Sequence, residues 1–226
     1  MILKHENKVA VVAGGGRDIG RAVSLKLAAE GAKVVVNYHG SHDLAQETLA
    51  EIEAAGGQAI LHKGDMTSPA DVEGLVAKTI ETFGADIDIL VNVAGGLVAR
   101  KTIDEMDLDF FNHVIQLNLN STFLITKAVV PHMSEGSSII YFASQAGRDG
   151  GGPGASAYAT SKGAVMTFTR SMAKELGPKG IRVNSLCCGM ISTRFHDTFS
   201  KPEGRIVVAG STPLRREGAP DEVAHT

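Results

Sequence analysis

Lys8-Val9-Ala10-Val11-Val12-Ala13-Gly14-Gly15-Gly16-Arg17-Asp18-Ile19-Gly20 opens with a continuous apolar run and closes on a glycine-rich turn. Arg21 to Glu30 then has the composition of a helix. A short apolar run bounded by glycines reads as a buried strand. Strand, glycine turn and helix in that order form the context a dinucleotide fingerprint requires, because glycines let the backbone approach a pyrophosphate at a helix N-terminus. Asp18 places a carboxylate in that turn, which repels a pyrophosphate unless it turns aside, and neighbouring Arg17 is placed to offset its charge.

Outward from this unit, strand and helix patterns alternate, which predicts a parallel sheet covered on both faces. Lys33 to Asn37 is a second strand, Leu44 to Ala55 a second helix and Gln58 to His62 a third strand. Ser68-Pro69, with Asp71 in the first turn, starts a helix that runs to about Phe83. Ile87 to Val91 is the fourth strand, and Leu108 to Met133 reads as one long helix. Within it Asn118 stands between Leu117 and Leu119, a polar side chain in an apolar run that needs hydrogen-bond partners if buried. Ser138 to Phe142 is a strand that delivers Ser144 at its C-terminal end, where open parallel sheets bind ligands. Glycine-rich Gly147 to Gly154 follows.

Ser156-Ala157-Tyr158-Ala159-Thr160-Ser161-Lys162 carries the reactive pair. Tyr158 and Lys162, four residues apart, share one helix face. A phenol is protonated at neutral pH, and a neighbouring ammonium favours its phenolate, so the pair is suited to passing a proton. That helix runs to Leu176, where Gly177-Pro178 stops it, and Ile181 to Leu186 is the sixth strand.

These motifs together resemble the short-chain dehydrogenase/reductase family, from about Val9 to the end of the chain. The family's signature is a Ser followed by Tyr-x-x-x-Lys, and its glycine motif is Gly-x-x-x-Gly-x-Gly. Gly14 and Gly20 match that motif, while Asp18 takes the middle glycine's place. The resemblance implies a Rossmann-type, doubly wound α/β domain of three layers, with strand order 3-2-1-4-5-6, over residues 1–226 as a single domain. A substrate lid is expected at about 190–216. The family's final helix and strand are expected to be missing from this sequence, leaving an apolar sheet edge exposed.

The resemblance further implies NAD(P)-dependent reduction of a ketone or aldehyde to an alcohol, with Asn118, Ser144, Tyr158 and Lys162 as the catalytic set. Asn118, in the family's Asn-x-x-x-x-Phe pattern with Phe123, is expected to order a water that relays protons to Lys162. The expected cofactor contacts are Gly14, Gly16, Arg17, Asp18, Ile19, Gly20, Asn37, Tyr38, Asp65, Met66, Asn92, Ala94 and Gly95. Tyr158, Lys162, Gly189, Ile191 and Thr193 complete them. The second strand ends without the acid that holds a ribose 2′-hydroxyl, and Arg17 is placed as in members that hold a 2′-phosphate, so NADP(H) is preferred over NAD(H). Cys188 replaces the family's usual Pro and is read as a packed, inert thiol.

Within the family the pattern looks closest to the 3-oxoacyl-[acyl-carrier-protein] reductase-like branch. The helix after Asn118 offers only Lys127 as a basic docking residue, which weakens the acyl-carrier reading. Arg100, Lys101, Arg148 and Arg194 suggest instead a small anionic ketone, such as a uronate-derived one. A dinucleotide-binding sensor without turnover is the reading from another class. The resemblance also implies a homodimer or homotetramer through the helices around Asn118 and Tyr158.

Composition sets the remaining limits. With 226 residues, 43% hydrophobic and 21% charged, the chain is that of a globular protein. A net charge of -3 gives no basic footprint for nucleic acid or a membrane surface. Cys187 and Cys188 are adjacent and poorly placed to bridge each other. No leader or transmembrane stretch is read, so a cytoplasmic protein is expected, and no His or Cys spacing suggests a metal site.

Overall fold

The computed structural model describes residues 3–226. Six parallel strands form one sheet, as the alternating pattern predicts, in the order β3-β2-β1-β4-β5-β6 that the family resemblance implies. The strands are β1 (Val9–Ala13), β2 (Lys33–Tyr38), β3 (Gln58–Lys63), β4 (Ile89–Asn92), β5 (Ser138–Ser144) and β6 (Arg182–Cys188). β1, β2 and β4 are almost wholly buried, which is why they read as continuous apolar runs rather than alternating ones.

Helices cover both faces. α1 (Asp18–Ala29) and α2 (His42–Ala54) lie on one side, where Val12, Val23, Val34, Val36 and Ile52 build one core. α3 (Pro69–Phe83), α4 (Leu108–Ile115), α5 (Ser121–Val129) and α7 (Ser156–Leu176) enclose the other. There Val11, Leu75, Leu90, Ile125, Ile139, Tyr141 and Val165 are buried. Ser68 caps α3 by accepting from the Asp71 N–H at 3.3 Å, with Pro69 in the first turn, as the sequence signals.

The long helix expected over Leu108 to Met133 is continuous but not regular. Between α4 and α5 lies a π segment, Gln116–Asn120, and a 3₁₀ turn, Val130–His132, ends the run. Such widened turns occur at functional sites, and this one carries Asn118. The short α6 (Ala146–Asp149) approaches α7 so closely that a Cβ on Gly147 would stand 2.7 Å from the Gly163 nitrogen and 2.8 Å from the Lys162 carbonyl carbon. Only glycine allows that contact.

After β6 the chain forms α8 (Arg194–Phe199), α9 (Pro202–Ser211) and α10 (Pro220–Ala224). Among the described residues β6 pairs with β5 alone. A groove of about 540 Å³ lies beside its C-terminal half, lined by Leu186, Cys187, Cys188, Ile191, Leu214 and Val223. No helix of the described residues is long and apolar enough to cross a membrane.

Candidate active site

The glycine turn sits where β1 hands over to α1, and its shape is set by crowding. A Cβ on Gly20 would lie 1.9 Å from the Gly14 carbonyl oxygen, and one on Gly14 2.9 Å from the Ala94 nitrogen. Asn37 braces the turn from β2: its Oδ1 accepts from the Gly14 N–H at 3.1 Å, and its Nδ2 donates to the Gly64 carbonyl at 3.0 Å. Its side chain is thereby occupied by the fold. α1 begins without a side-chain cap, so its first-turn N–H groups face the turn uncovered. This arrangement fits a pyrophosphate.

Around that turn the other predicted contacts gather at the C-terminal ends of the strands. Tyr38 is buried and its hydroxyl pairs with His42 Nδ1 at 2.8 Å. Asp65 accepts from the Thr67 N–H and hydroxyl, with His39 at 3.6 Å from its other oxygen. These partners lower the Asp65 pKa although partial burial opposes them. Met66 is buried below. Asn92, at the end of β4, donates to Thr122, and its buried Oδ1 has no partner among the described residues. Ala94 bonds back to the Ala13 carbonyl. Thr193 donates to the Ile191 carbonyl, Ile191 bridges to Gly218, and Gly189 lies in the open connection before them. Ile19 is half-buried in α1, and Gly16 faces Ala45 of α2.

The four candidate catalytic residues converge from three elements. Asn118 is fully buried; its Oδ1 accepts from the Gly96 N–H at 3.0 Å and its Nδ2 donates to the Gly96 and Val114 carbonyls at 2.9 Å. A Cβ on Gly95 would lie 2.5 Å from Asn118 Oδ1 and 3.3 Å from Lys162 Nζ, so Gly95 is the point where Asn118 and Lys162 meet. Lys162 Nζ donates to the Phe142 carbonyl at 2.6 Å and lies 5.8 Å from the centre of the Tyr158 ring. Ser144, at the end of β5, accepts from the Ala146 N–H at 3.2 Å.

Burial dominates the electrostatics. It pushes the Tyr158 phenol up, with a hydrogen bond from Ser144 acting against it. It pushes Lys162 down to about 8. The Cys188 thiol is pushed up to about 11, again by burial, so it is protonated at neutral pH.

Several contacts carry no local signal in the sequence. Phe195 of α8 lies 5.8 Å from the Tyr158 ring centre and 5.1 Å from that of Phe199, closing an aromatic cover over the phenol. Arg100 is already engaged, donating to the Phe199 and Pro153 carbonyls at 3.0 and 2.9 Å. Lys101 lies over the Phe110 ring at 4.6 Å and pairs with Asp107 at 3.5 Å. Two of the four cations offered for an anionic substrate are therefore committed elsewhere. Among the described residues no group of three or more His, Cys, Asp or Glu side chains is arranged to hold a metal ion.

The chain as a whole has counterparts among known proteins. The family model described as short chain dehydrogenase matches residues 8–204. A 3-oxoacyl-[acyl-carrier-protein] reductase from Synechocystis is 40% identical over 222 residues, covering 97% of this chain and 87% of the relative. A short chain dehydrogenase from Burkholderia cenocepacia, solved in complex with NADP, superposes with a TM-score of 0.90 at 32% identity, covering 98% of this chain and 89% of that one. An NADH-dependent reductase, A1-R′, responsible for alginate metabolism, superposes at 0.88 with 31% identity over 98% and 87% of the two chains. Motif order, sheet topology and likeness along nearly the whole length agree: the chain belongs to the short-chain dehydrogenase family of NAD(P)-dependent oxidoreductases.

Proposed function

We propose that the chain is a carbonyl reductase that uses Tyr158 as its general acid and prefers NADP(H), with a neutral, partly apolar ketone or aldehyde as substrate. The observation that carries this reading is the meeting of Ser144, Tyr158, Lys162 and Asn118 beside the strand ends that face the glycine turn. Bound there, the cofactor supplies the hydride. Ser144 orients the substrate oxygen, and Tyr158 donates the proton to it as charge develops. Burial keeps the phenol protonated until then, which suits an acid better than a base in the reducing direction. Lys162, held by the Phe142 carbonyl, places a positive charge near the phenolate that remains. Asn118, braced on Gly96 within the π segment, is placed to order a water behind Lys162.

Support for NADP(H) comes from the end of β2. It carries Tyr38 and His39 rather than a carboxylate, and the half-exposed Arg17 guanidinium stands nearby on the glycine turn. For the substrate, the ring of Phe195 over Tyr158 and the engagement of Arg100 and Lys101 favour an uncharged group beside the carbonyl. A second reading, reduction of a 3-oxoacyl group on a carrier, rests on the Synechocystis relative. We expect a cytoplasmic enzyme working as a homodimer or homotetramer.

The test is a fluorescence titration with NADPH and NADH, followed by a ketone screen. Tighter binding of NADPH is expected, and a preference for NADH would overturn the cofactor assignment alone. Tyr158→Phe should keep cofactor binding while turnover falls at least about a hundredfold, the scale of a lost general acid. Near-normal turnover by that variant would remove the mechanism. Equal efficiency on neutral and carboxylated ketones of one size would remove the substrate class.

A further inference from the structure

Arg205 of α9 donates from all three nitrogens of its guanidinium, and its partners come from three other segments of the chain. Nε and one terminal nitrogen fork onto the two Glu217 oxygens, both at 2.6 Å. The other terminal nitrogen donates to Asp197 of α8 at 2.5 Å. The first also reaches the Ser192 hydroxyl, ahead of α8, at 3.5 Å. The Arg205 and Glu217 side chains are only 21% and 18% exposed, so this fork is shielded from solvent as an ordinary surface pair is not. Glu217 is itself fixed, because Gly218 beside it exchanges backbone bonds with Met190 and Ser192 at 2.9 and 2.8 Å.

α8 carries the aromatic cover of the phenol. Phe195 stands 5.8 Å from the Tyr158 ring centre, and Phe199 and His196 each lie 5.1 Å from Phe195. His196 shares a hydrogen bond with Ser200 at 2.9 Å, and burial, helped by the Arg205 charge, lowers its pKa, so it is neutral at pH 7. With six residues and no side-chain cap at its first turn, α8 cannot hold its place unaided. Its ends are tied by single bonds at exposed positions, from the Arg194 N–H to Asp18 at 3.3 Å and from Arg100 to the Phe199 carbonyl at 3.0 Å. Asp197, two positions from Phe195, is where the Arg205 network enters the helix.

We propose that Arg205 is a positioning residue for the reduction: by joining α8 to Glu217 and Ser192 it fixes Phe195 over Tyr158, and so sets how large an apolar group beside the carbonyl is held. A ketone with a bulky neutral substituent leans on the Phe195 ring, whereas a small one does not reach it. Selectivity for size is then decided by an ion-pair network that touches neither substrate nor cofactor. The effect on substrate rests on the carbonyl-reductase reading above; the hold on α8 does not.

The experiment measures reduction of butan-2-one and acetophenone with NADPH by wild type, Arg205→Gln, Phe195→Ala and the double variant, and amide hydrogen exchange of α8 in the free proteins. Arg205→Gln is expected to raise KM for acetophenone about tenfold, the scale of a lost apolar contact in a pocket, and to leave KM for butan-2-one, kcat and NADPH affinity within about twofold. Phe195→Ala should do the same. The double variant should be no worse than Phe195→Ala, because residues that act through one contact are not additive. The α8 amides should exchange about tenfold faster in Arg205→Gln. Arg205→Lys keeps the charge beside Glu217, which protects folding, but one ammonium cannot make the fork and also reach Asp197, so it should show the same split between the two ketones. Wild-type exchange of α8 in both Arg205 variants overturns the hold. Additive effects in the double variant, equal effects on the two ketones, or a fall in kcat with KM unchanged overturn the positioning of Phe195. Failure of the wild type to reduce either ketone overturns the reductase reading for such substrates instead, and the exchange of the free proteins still decides whether Arg205 holds α8.

Discussion

Lys162 shows how one side chain ties function to stability. It is only 5% exposed, and burial holds its pKa near 8 against an ordinary 10.5. Below about pH 8 the folded chain must carry a buried ammonium, at a cost of about 3 kcal/mol by linkage. Between about 8 and 10.5 the unfolded chain binds the proton more readily than the folded one, so this penalty fades as pH rises. Replacing it by an apolar side chain of similar length should therefore stabilise the fold while removing the charge beside Tyr158. Lys162→Met is expected to lose turnover yet melt several degrees higher at pH 7, with the difference from wild type shrinking between pH 8 and 10. A lower melting temperature at pH 7 would mean that the bond to the Phe142 carbonyl outweighs the burial cost. The Tyr158 and Lys162 pair was legible because four-residue spacing is local information. That Lys162 hydrogen-bonds Phe142 was not, because that partner arrives by tertiary packing.

The glycine turn and its strand form the element on which the site is built, and its tolerance is unequal from one glycine to the next. Gly20 has no room for a Cβ, which would overlap the Gly14 carbonyl at 1.9 Å, whereas a Cβ on Gly40 meets nothing within 4 Å. Gly20→Ala is expected to lose nucleotide binding and to destabilise the chain by about 1–3 kcal/mol, the cost typical of overpacking. Gly40→Ala should bind and melt like wild type; calorimetry with NADPH titration reads both. If Gly20→Ala bound NADPH normally, the turn would have to be softer than its contacts indicate. Most elements were readable here, because buried parallel strands announce themselves as apolar runs, while the strand order came from the family resemblance. The π segment was not, since the pattern from Leu108 onward is that of an ordinary helix. Its widening goes with the bonds of Asn118 to Gly96, a contact across 22 positions that no helical periodicity encodes.

At the scale of the whole molecule, two helical segments expose large apolar side chains. One is α9, where Ile206 and Val207 are more than 70% exposed. The other is the α4 to α5 run, where Leu108 is 72% and Phe123 48% exposed. Among the described residues β6 pairs with β5 alone, and its Arg182 and Asn184 are exposed. On the helical run Lys127 lies 5.9 Å from the Phe123 ring centre, and Asp109, Asn112 and Gln116 are exposed around it. The same run carries Asn118 on its inner side, so a second copy seated on its outer side would stiffen the π segment without touching substrate. Phe123→Glu puts a charge at the centre of that face, where burial in an interface would cost several kcal/mol. Light scattering is expected to show a dimer or tetramer for wild type and a monomer for Phe123→Glu, with NADPH still bound but turnover reduced. A wild-type monomer would remove the assembly, and an unchanged assembly in the variant would move the interface elsewhere. A monomeric variant with full turnover would show that Asn118 keeps its place through Gly96 and Val114 alone.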